Sequence, residues 1–377
     1  MEVEQQIWAD GKWNSSEISK LGNSAQLVLA FGATGVMSEP QRFEELRAAY
    51  PSAHICGCST AGEISGTRVS DESLVATAVH FEQSKVKMVK INLKQTMNST
   101  DAGEQLAKML PKNELVHVFV LCDGLKVNGT ELVQGLVKNL PANVAVTGGL
   151  AGDGARFEQT LVCADAQPSG GVIAAIGFYG SHLKVGYGSM GGWDSFGPER
   201  VITKSKGNIL YELDGESALA LYKKYLGEHA AGLPASGLLF PLSVRVKEGD
   251  TPVVRTILAV DEKAQSMTFA GDLPQGSRAR LMKANFDRLI DGANQAAQCT
   301  QATGENSASL AVLISCVGRK LVLKQRIEEE VESVRDVLGP SAALVGFYSY
   351  GKISPFTASA KCELHNQTMT ITTFAEQ

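Results

Sequence analysis

The stretch "HICGCSTAGEIS", residues 54–65, gathers a histidine, two cysteines, a serine and a glutamate, the residue types from which a zinc cradle or an activated nucleophile is made. In a strand, His54, Cys56 and Cys58 share one face, with neighbours about 6.6 Å apart and the ends about 13 Å apart. Zinc–ligand bonds are only about 2.0–2.3 Å, so one ion cannot collect all three without bending the strand. No second Cys/His pair stands at metal spacing in the sequence. A metal or redox switch at Cys56 and Cys58 stays open, provided a nearby cation favours the thiolate. As a nucleophile Ser59 lacks its setting. In "GCSTAG" the second glycine comes one residue too late for a Gly-x-Ser-x-Gly elbow, and no His–Asp pair can be assigned to it. Read as backbone, the stretch is a strand that ends in a glycine corner.

The elements that would position such a corner recur three times. "AQLVLAFGATG" (25–35), "LVHVFVLCDGL" (115–125) and "SLAVLISCVGRK" (309–320) are apolar strands running into a turn. Each leads to a helical segment, "EPQRFEELRAAY", "GTELVQGLVKNL" or "VLKQRIEEEVESVRDVLG", and then to a strand with a corner, "GCSTAGEIS", "GGLAGDG" or "GFYSYGK". The spacings Gly32–Gly62, Gly124–Gly152 and Gly318–Gly351 are 30, 28 and 33 residues. That is the length of a βαβ unit with parallel strands. One further strand follows each corner, at 73–81, 171–180 and 368–374. The glycines recur while the cysteines and serine do not, so the shared feature is backbone geometry.

Between the second and third units the pattern changes. Residues 182–227 read as a strand, a glycine-rich loop around Trp193, a two-stranded piece and a helix capped by Asp214, with Leu219, Tyr222 and Leu226 on one face. "EHAAGLPASG" (228–237) marks a boundary. Beyond it, a hairpin turns at Asp261–Lys263, and residues 276–298 read as a long helix capped by Ser277. The expected architecture is α/β: mixed sheets built from repeated βαβ units with glycine corners, in two packed halves. The divisions are an extension at 1–24 and domains at 25–227 and 228–377.

Composition narrows the function. The chain is 44% apolar and 20% charged, with a net charge of −5 and a pI near 5.8, which argues against affinity for nucleic acid or anionic membrane. The longest apolar runs fall short of the ~20 residues of a membrane span, and the amino terminus lacks a signal-peptide pattern. Seven cysteines in 377 residues do not form a disulfide framework. These features lead to the expectation of a cytoplasmic protein. No assembled acid–base or nucleophile group is visible, so an enzyme is not expected.

Taken together and in order, "GCSTAGEI", "GGLAGDG", "GWDSFGPERVITKSKGNILYELDGESALALYKKYLG", "SCVGRK", "GFYSYGKISP" and "LHNQTMTIT" resemble the FIST domain, in its amino-terminal and carboxyl-terminal parts, from about residue 25 to 375. The resemblance implies a sensory, ligand-binding module of signal transduction. In architecture it looks like the stand-alone bacterial members that bind haem, sense nitric oxide and regulate a partner histidine kinase, and with it cyclic-di-GMP signalling and biofilm behaviour. One departure stands out: the family often carries Glu where this chain has Lys352.

A haem would be of the b type, because the sequence has no Cys-x-x-Cys-His. His365, in "CELHNQTM", is the expected axial ligand, with Asn366 beside it to orient it. Arg319 could meet a propionate, or else pair with a helix carboxylate such as Glu328 or Glu329. Tyr348, Cys58 and Cys316 are lesser ligand candidates. The pocket is expected at the corners, near Cys58, Ser59, Gly149, Gly152, Cys316 and Gly351. The alternatives are a haem-free sensor of an amino-acid-like metabolite and a cysteine-based redox or metal switch. A homodimer is compatible with either.

Overall fold

A computed structural model describes residues 1–15, 19–93, 97–303, 308–356 and 360–377. The three repeats fold as expected. In each, two parallel strands lie side by side: Leu27–Ala33 with His54–Thr60, Leu115–Cys122 with Ala145–Leu150, and Leu310–Cys316 with Ala343–Ser349. The additional strands, Leu74–His80, Val172–Tyr179 and Met369–Glu376, run antiparallel beside the first member of each pair. The strands are apolar on both faces because both faces are covered. At one ladder position the second strand must be glycine. A β-carbon on Gly57, Gly148 or Gly346 would lie 1.8, 1.9 or 1.8 Å from the carbonyl oxygen of the paired Ala30, Val120 or Leu313.

After each corner the chain leaves its own sheet for the next. Glu63–Ser65, from the first unit, pairs with Ala343–Ser349 of the third. Gly351–Pro355, from the third, pairs with Ala145–Leu150 of the second. Val162–Ala164, from the second, pairs with His54–Thr60 of the first. The exchange closes on itself and yields three six-stranded sheets. The corners touch at the centre: Ala61 N donates to Tyr348 O, Gly152 N to Ser59 O and Tyr348 N to Gly62 O, each at 2.8 Å. Phe31 and Phe347, both fully buried, meet there with ring centroids 4.6 Å apart. Burial of each such side chain contributes about 1.5–3 kcal/mol.

The remaining chain attaches to this ring. Glu2–Ala9 pairs antiparallel with Leu74–His80, so the amino-terminal residues extend the first sheet. The helix Ser99–Met109, unread in the sequence, packs on Gly129–Lys138. An eight-stranded sheet is inserted between the second and third units and runs from Asp194–Lys206 to Arg278–Lys283. Its hydrophobic core includes Tyr222, Leu242 and Phe269, so it spans position 227/228. Mixed parallel and antiparallel sheets with helices make the α/β fold expected, here as a ring of three units with an inserted sheet. Leu219, Tyr222 and Leu226 are buried on one face of the helix Ala218–Leu226. Its cap is Ser217, which accepts from Ala220 N, while Asp214 pairs with Arg200 at 3.0 Å. The hairpin turns as expected, with Asp261 accepting from the N–H groups of Lys263 and Ala264. Residues 276–298 differ from the expectation: Arg278–Lys283 is a strand, and the helix starts at Phe286. In "RARLMK" Ala279 and Leu281 are buried and Arg278 and Arg280 exposed, a period of two that prevails over the helical reading. Among the described residues no helix is long and apolar enough to cross a membrane.

Candidate functional site

A cavity of about 320 Å³ lies where three parts of the chain meet. The second unit supplies the turn Gly124–Gly129, the inserted sheet Asn208, Leu258 and Phe269, and the third unit Tyr350, Leu364 and Asn366. The size falls at the lower end of small-molecule sites, about 300–1,000 Å³. The turn is held by Asp123, whose Oδ1 accepts from Leu125 N, Lys126 N and Thr160 Oγ1. Asn128 then caps the helix Gly129–Lys138, accepting from Thr130 N and Glu131 N. Leu125, Val127, Leu150, Phe157, Leu258 and Leu364 make the walls largely apolar. Lys126 stands exposed at the rim. Asn366 is fully buried; its Nδ2 donates to Tyr350 O at 3.4 Å, and its Oδ1 has no hydrogen-bond partner in the protein. An unsatisfied buried acceptor costs about 1–3 kcal/mol, so a donor supplied from the cavity would be favoured.

Of the residues singled out in the sequence, only Asn366 lines this cavity. Cys58 is buried in the first sheet beside Phe31, and burial pushes its thiol well above the ordinary value. Cys56 behaves alike, so neither presents the ready thiolate of a redox switch. No group of three His, Cys, Asp or Glu residues able to hold a metal ion occurs among the described residues. Ser59 Oγ donates to Gly152 O at 2.7 Å and accepts from Leu161 N at 2.9 Å, a structural clasp between corners. Gly149 lies against Ile314, Gly152 against the backbone of Thr60, Ala61 and Tyr348, and Gly351 against Leu150 and Leu364. The corners thus fill the centre of the ring, and the cavity opens beside the second and third of them.

Arg319 is fully buried and pairs with Glu330, one position beyond the carboxylates expected from the sequence. Its Nε and Nη2 donate to Glu330 Oε2 at 2.9 and 2.8 Å, Nη1 donates to Gly191 O at 2.5 Å, and Nη2 also donates to Leu289 O at 2.6 Å. Glu330 Oε1 accepts from Tyr348 Oη at 2.6 Å and Ser315 Oγ at 3.0 Å. Arg319 and Tyr348 therefore complete a buried network and are not free to meet a ligand.

The same geometry decides the fit of a haem. His365 is 1% exposed, its Nε2 lies 2.7 Å from Ser354 O, and its ring packs on Phe356 at 4.1 Å. Burial pushes its imidazole down to about 3. Its Nδ1 has no hydrogen-bond partner in the protein, and the ring lines neither the 320 Å³ cavity nor the one beside Phe356. Tyr350, the one side chain of the 320 Å³ cavity able to ligate iron, holds its hydroxyl between Phe157 N and Gly154 O. The residues in place do not fit a haem.

A polar cluster lies on and next to the strand Gly351–Pro355. Lys352 and His365 are ladder partners, and Lys352 Nζ, His365 Nδ1, Asn366 Oδ1, Gln367 Oε1 and Thr368 Oγ1 are all buried without a hydrogen-bond partner in the protein. The turn after residues 115–122 was read from the sequence, but its place in the cavity wall, and that of Asn208, was not. Asp123 followed by Gly124, with a capping Asn128, was the local signal for the turn.

No curated protein matches the sequence. Among solved structures, the crystal structure of cyanuric acid hydrolase from A. caulinodans aligns over 94% of this chain and 90% of that chain, at 8% identity and a TM-score of 0.34. The FIST N domain matches residues 26–216 and the FIST C domain residues 218–355. FIST domains are associated with signal-transduction sensing, and the strand exchange just described runs through both matched parts. The chain belongs to the FIST family.

Proposed function

We propose that this protein is a sensor that takes a small, largely apolar metabolite into the cavity between the second unit, the inserted sheet and the third corner. The observation that carries the reading is the buried, unpartnered Oδ1 of Asn366 in an apolar-walled cavity. The ligand would bring a hydrogen-bond donor to Asn366 and an anionic group to Lys126 at the rim, the chemistry of an amino acid or similar metabolite. Bound there, it would bridge Phe269 of the inserted sheet and Tyr350 of the ring, favouring the arrangement that holds them together. The output would pass to a cytoplasmic partner, a histidine kinase by the family resemblance. Catalysis is not part of the reading, because the cavity presents no nucleophile beside a base.

Haem-based sensing of nitric oxide is the narrower form of the same function, and the buried, hydrogen-bonded His365 does not favour it. A thermal-shift panel of amino acids and small carboxylates tests the main reading. A ligand at 100 Kd adds about 2.7 kcal/mol of stability, and Asn366→Leu should abolish the shift while leaving the fold intact. No shift with any panel member, together with a saturable 1:1 haemin spectrum, would overturn it in favour of haem.

A further inference from the structure

Two strand edges are left open in the same place. Val253–Arg255 is the outermost strand of the inserted sheet, and Cys362–His365 is the outermost strand of the second unit's sheet. They are not ladder partners, yet Arg255 Nη1 donates to Leu364 O at 2.9 Å, so the edges meet at that end. Outward from there a cavity of about 450 Å³ lies between them, with Val253 and Asp250 on one side and Glu363 on the other. Arg255 and Val253 are buried while Asp250 and Glu363 are exposed, so the cavity runs from a closed end to an acidic rim. Arg255, at the closed end, is 6% exposed. Its Nε donates to Asp272 O at 3.2 Å and its Nη1 also to Val254 O at 3.5 Å, while Nη2 makes no hydrogen bond among the described residues. A β-carbon on Gly271 would lie 2.8 Å from that Nε, so the guanidinium is closely seated. The other buried arginines, Arg42 and Arg319, each pair with a glutamate. Among the described residues Arg255 has no carboxylate at ion-pair distance; Glu363 and Asp272 attract it from farther off. Burial pulls its guanidinium down to about 10, and it stays charged at neutral pH. A buried cation held only by main-chain oxygens is stabilised by an anion brought to it.

We propose that this slot captures the carboxyl-terminal end of an extended peptide from a partner protein. The terminal carboxylate meets Arg255 Nη2, and an apolar last side chain packs on Val244 and Val253, which are both buried on this cavity. The peptide main chain runs outward along the open edge of Val253–Arg255, whose unpaired N–H and C=O groups are a template for one more strand. A lysine or arginine a few residues before the peptide's end meets Asp250 and Glu363 at the rim. The same two carboxylates disfavour a free polyanion such as phosphate, which brings them no cation. The lining shares no residue with the metabolite cavity, so either reading can fail alone.

The test probes the full chain with a library of fluorescent hexapeptides that end in an apolar residue with a free carboxylate and carry Lys or Arg upstream, read by anisotropy beside their carboxyl-amidated twins. Free-carboxylate members should bind saturably, and amidation should weaken them at least about thirtyfold. Arg255→Gln should lose binding by a similar factor, and Glu363→Gln should weaken only the peptides with an upstream cation, by about two- to fivefold. Asn366→Leu, which alters the metabolite cavity, should bind the peptides as the wild type does. Absence of saturable binding by any member, equal binding of the amidated twins, or loss of binding in Asn366→Leu would overturn the proposal. Displacement by acetate at the peptides' own affinity would also overturn it, in favour of a plain anion site. If Arg255→Gln does not fold, the amidated twins and Glu363→Gln decide.

Discussion

Phe157 and Tyr350 stack nearly face to face across the seam between the second and third units, with ring centroids 4.3 Å apart and planes at 14°. Tyr350 Oη also accepts from Phe157 N at 3.2 Å and lies 3.3 Å from Gly154 O. One ring pair thus fastens two corners and walls the cavity. A double-mutant cycle of Phe157→Ala and Tyr350→Ala, read by urea unfolding, should give a coupling of about 0.5–1.5 kcal/mol. A coupling near zero would show that the stack contributes nothing beyond the separate burial of each ring.

Glu63 makes stability depend on pH. Burial raises its carboxyl from 4.5 to about 7, against the lowering effect of hydrogen bonds from Thr60 and Ser73. The folded chain therefore holds this proton more tightly than the unfolded chain. Its contribution is fully present below pH 4.5 and is lost as pH rises through about 7. The loss across that window should be of the order of 3 kcal/mol. Urea unfolding at several pH values should show it, and in Glu63→Gln that part of the dependence should be absent.

The pair Arg319–Glu330 should behave as a unit. Arg319→Met leaves a buried carboxylate with only Tyr348 and Ser315 as donors, and should cost about 3–5 kcal/mol. Replacing both, Arg319→Met with Glu330→Gln, should recover part of that loss. Chemical denaturation of the wild type, both single variants and the double variant measures it; additive losses would refute the coupling.

Haemin should add only broad, non-saturating absorbance to the purified protein. A saturable Soret band that shifts with nitric oxide and vanishes in His365→Ala would mean that His365 leaves Ser354 and the site opens.

The repeats were legible because each is written locally, as an apolar strand, a turn, a helix and a corner within about thirty residues. The exchange of strands was not. Glu63–Ser65 and Val162–Ala164 are three residues long, and their partners are set by tertiary contacts, which carry no local period. The segment after Ser277 was misread because a six-residue strand abuts a true helix, and the helical pattern was extended backward over it. At the site, Asn366 was found through its neighbour His365, for a different role. Arg319 was correctly seen to have a carboxylate alternative, yet the partner is Glu330 because that residue is buried on the inner face of its helix, while Glu328 and Glu329 meet Arg68 and Arg326. Cys316 and Lys352 were each noticed, but both are buried and neither lines the metabolite cavity.

The closed exchange of strands also sets an order in time. As the chain is synthesised, the first sheet waits for residues 162–164 and the second for residues 351–355, although their own parallel strands are made much earlier. Glu63–Ser65 has no ladder partner until residues 343–349 emerge. Most of the ring is therefore synthesised before it can lock. Its early strands expose edges throughout translation, which makes this the period when the chain is most open to aggregation and to chaperones.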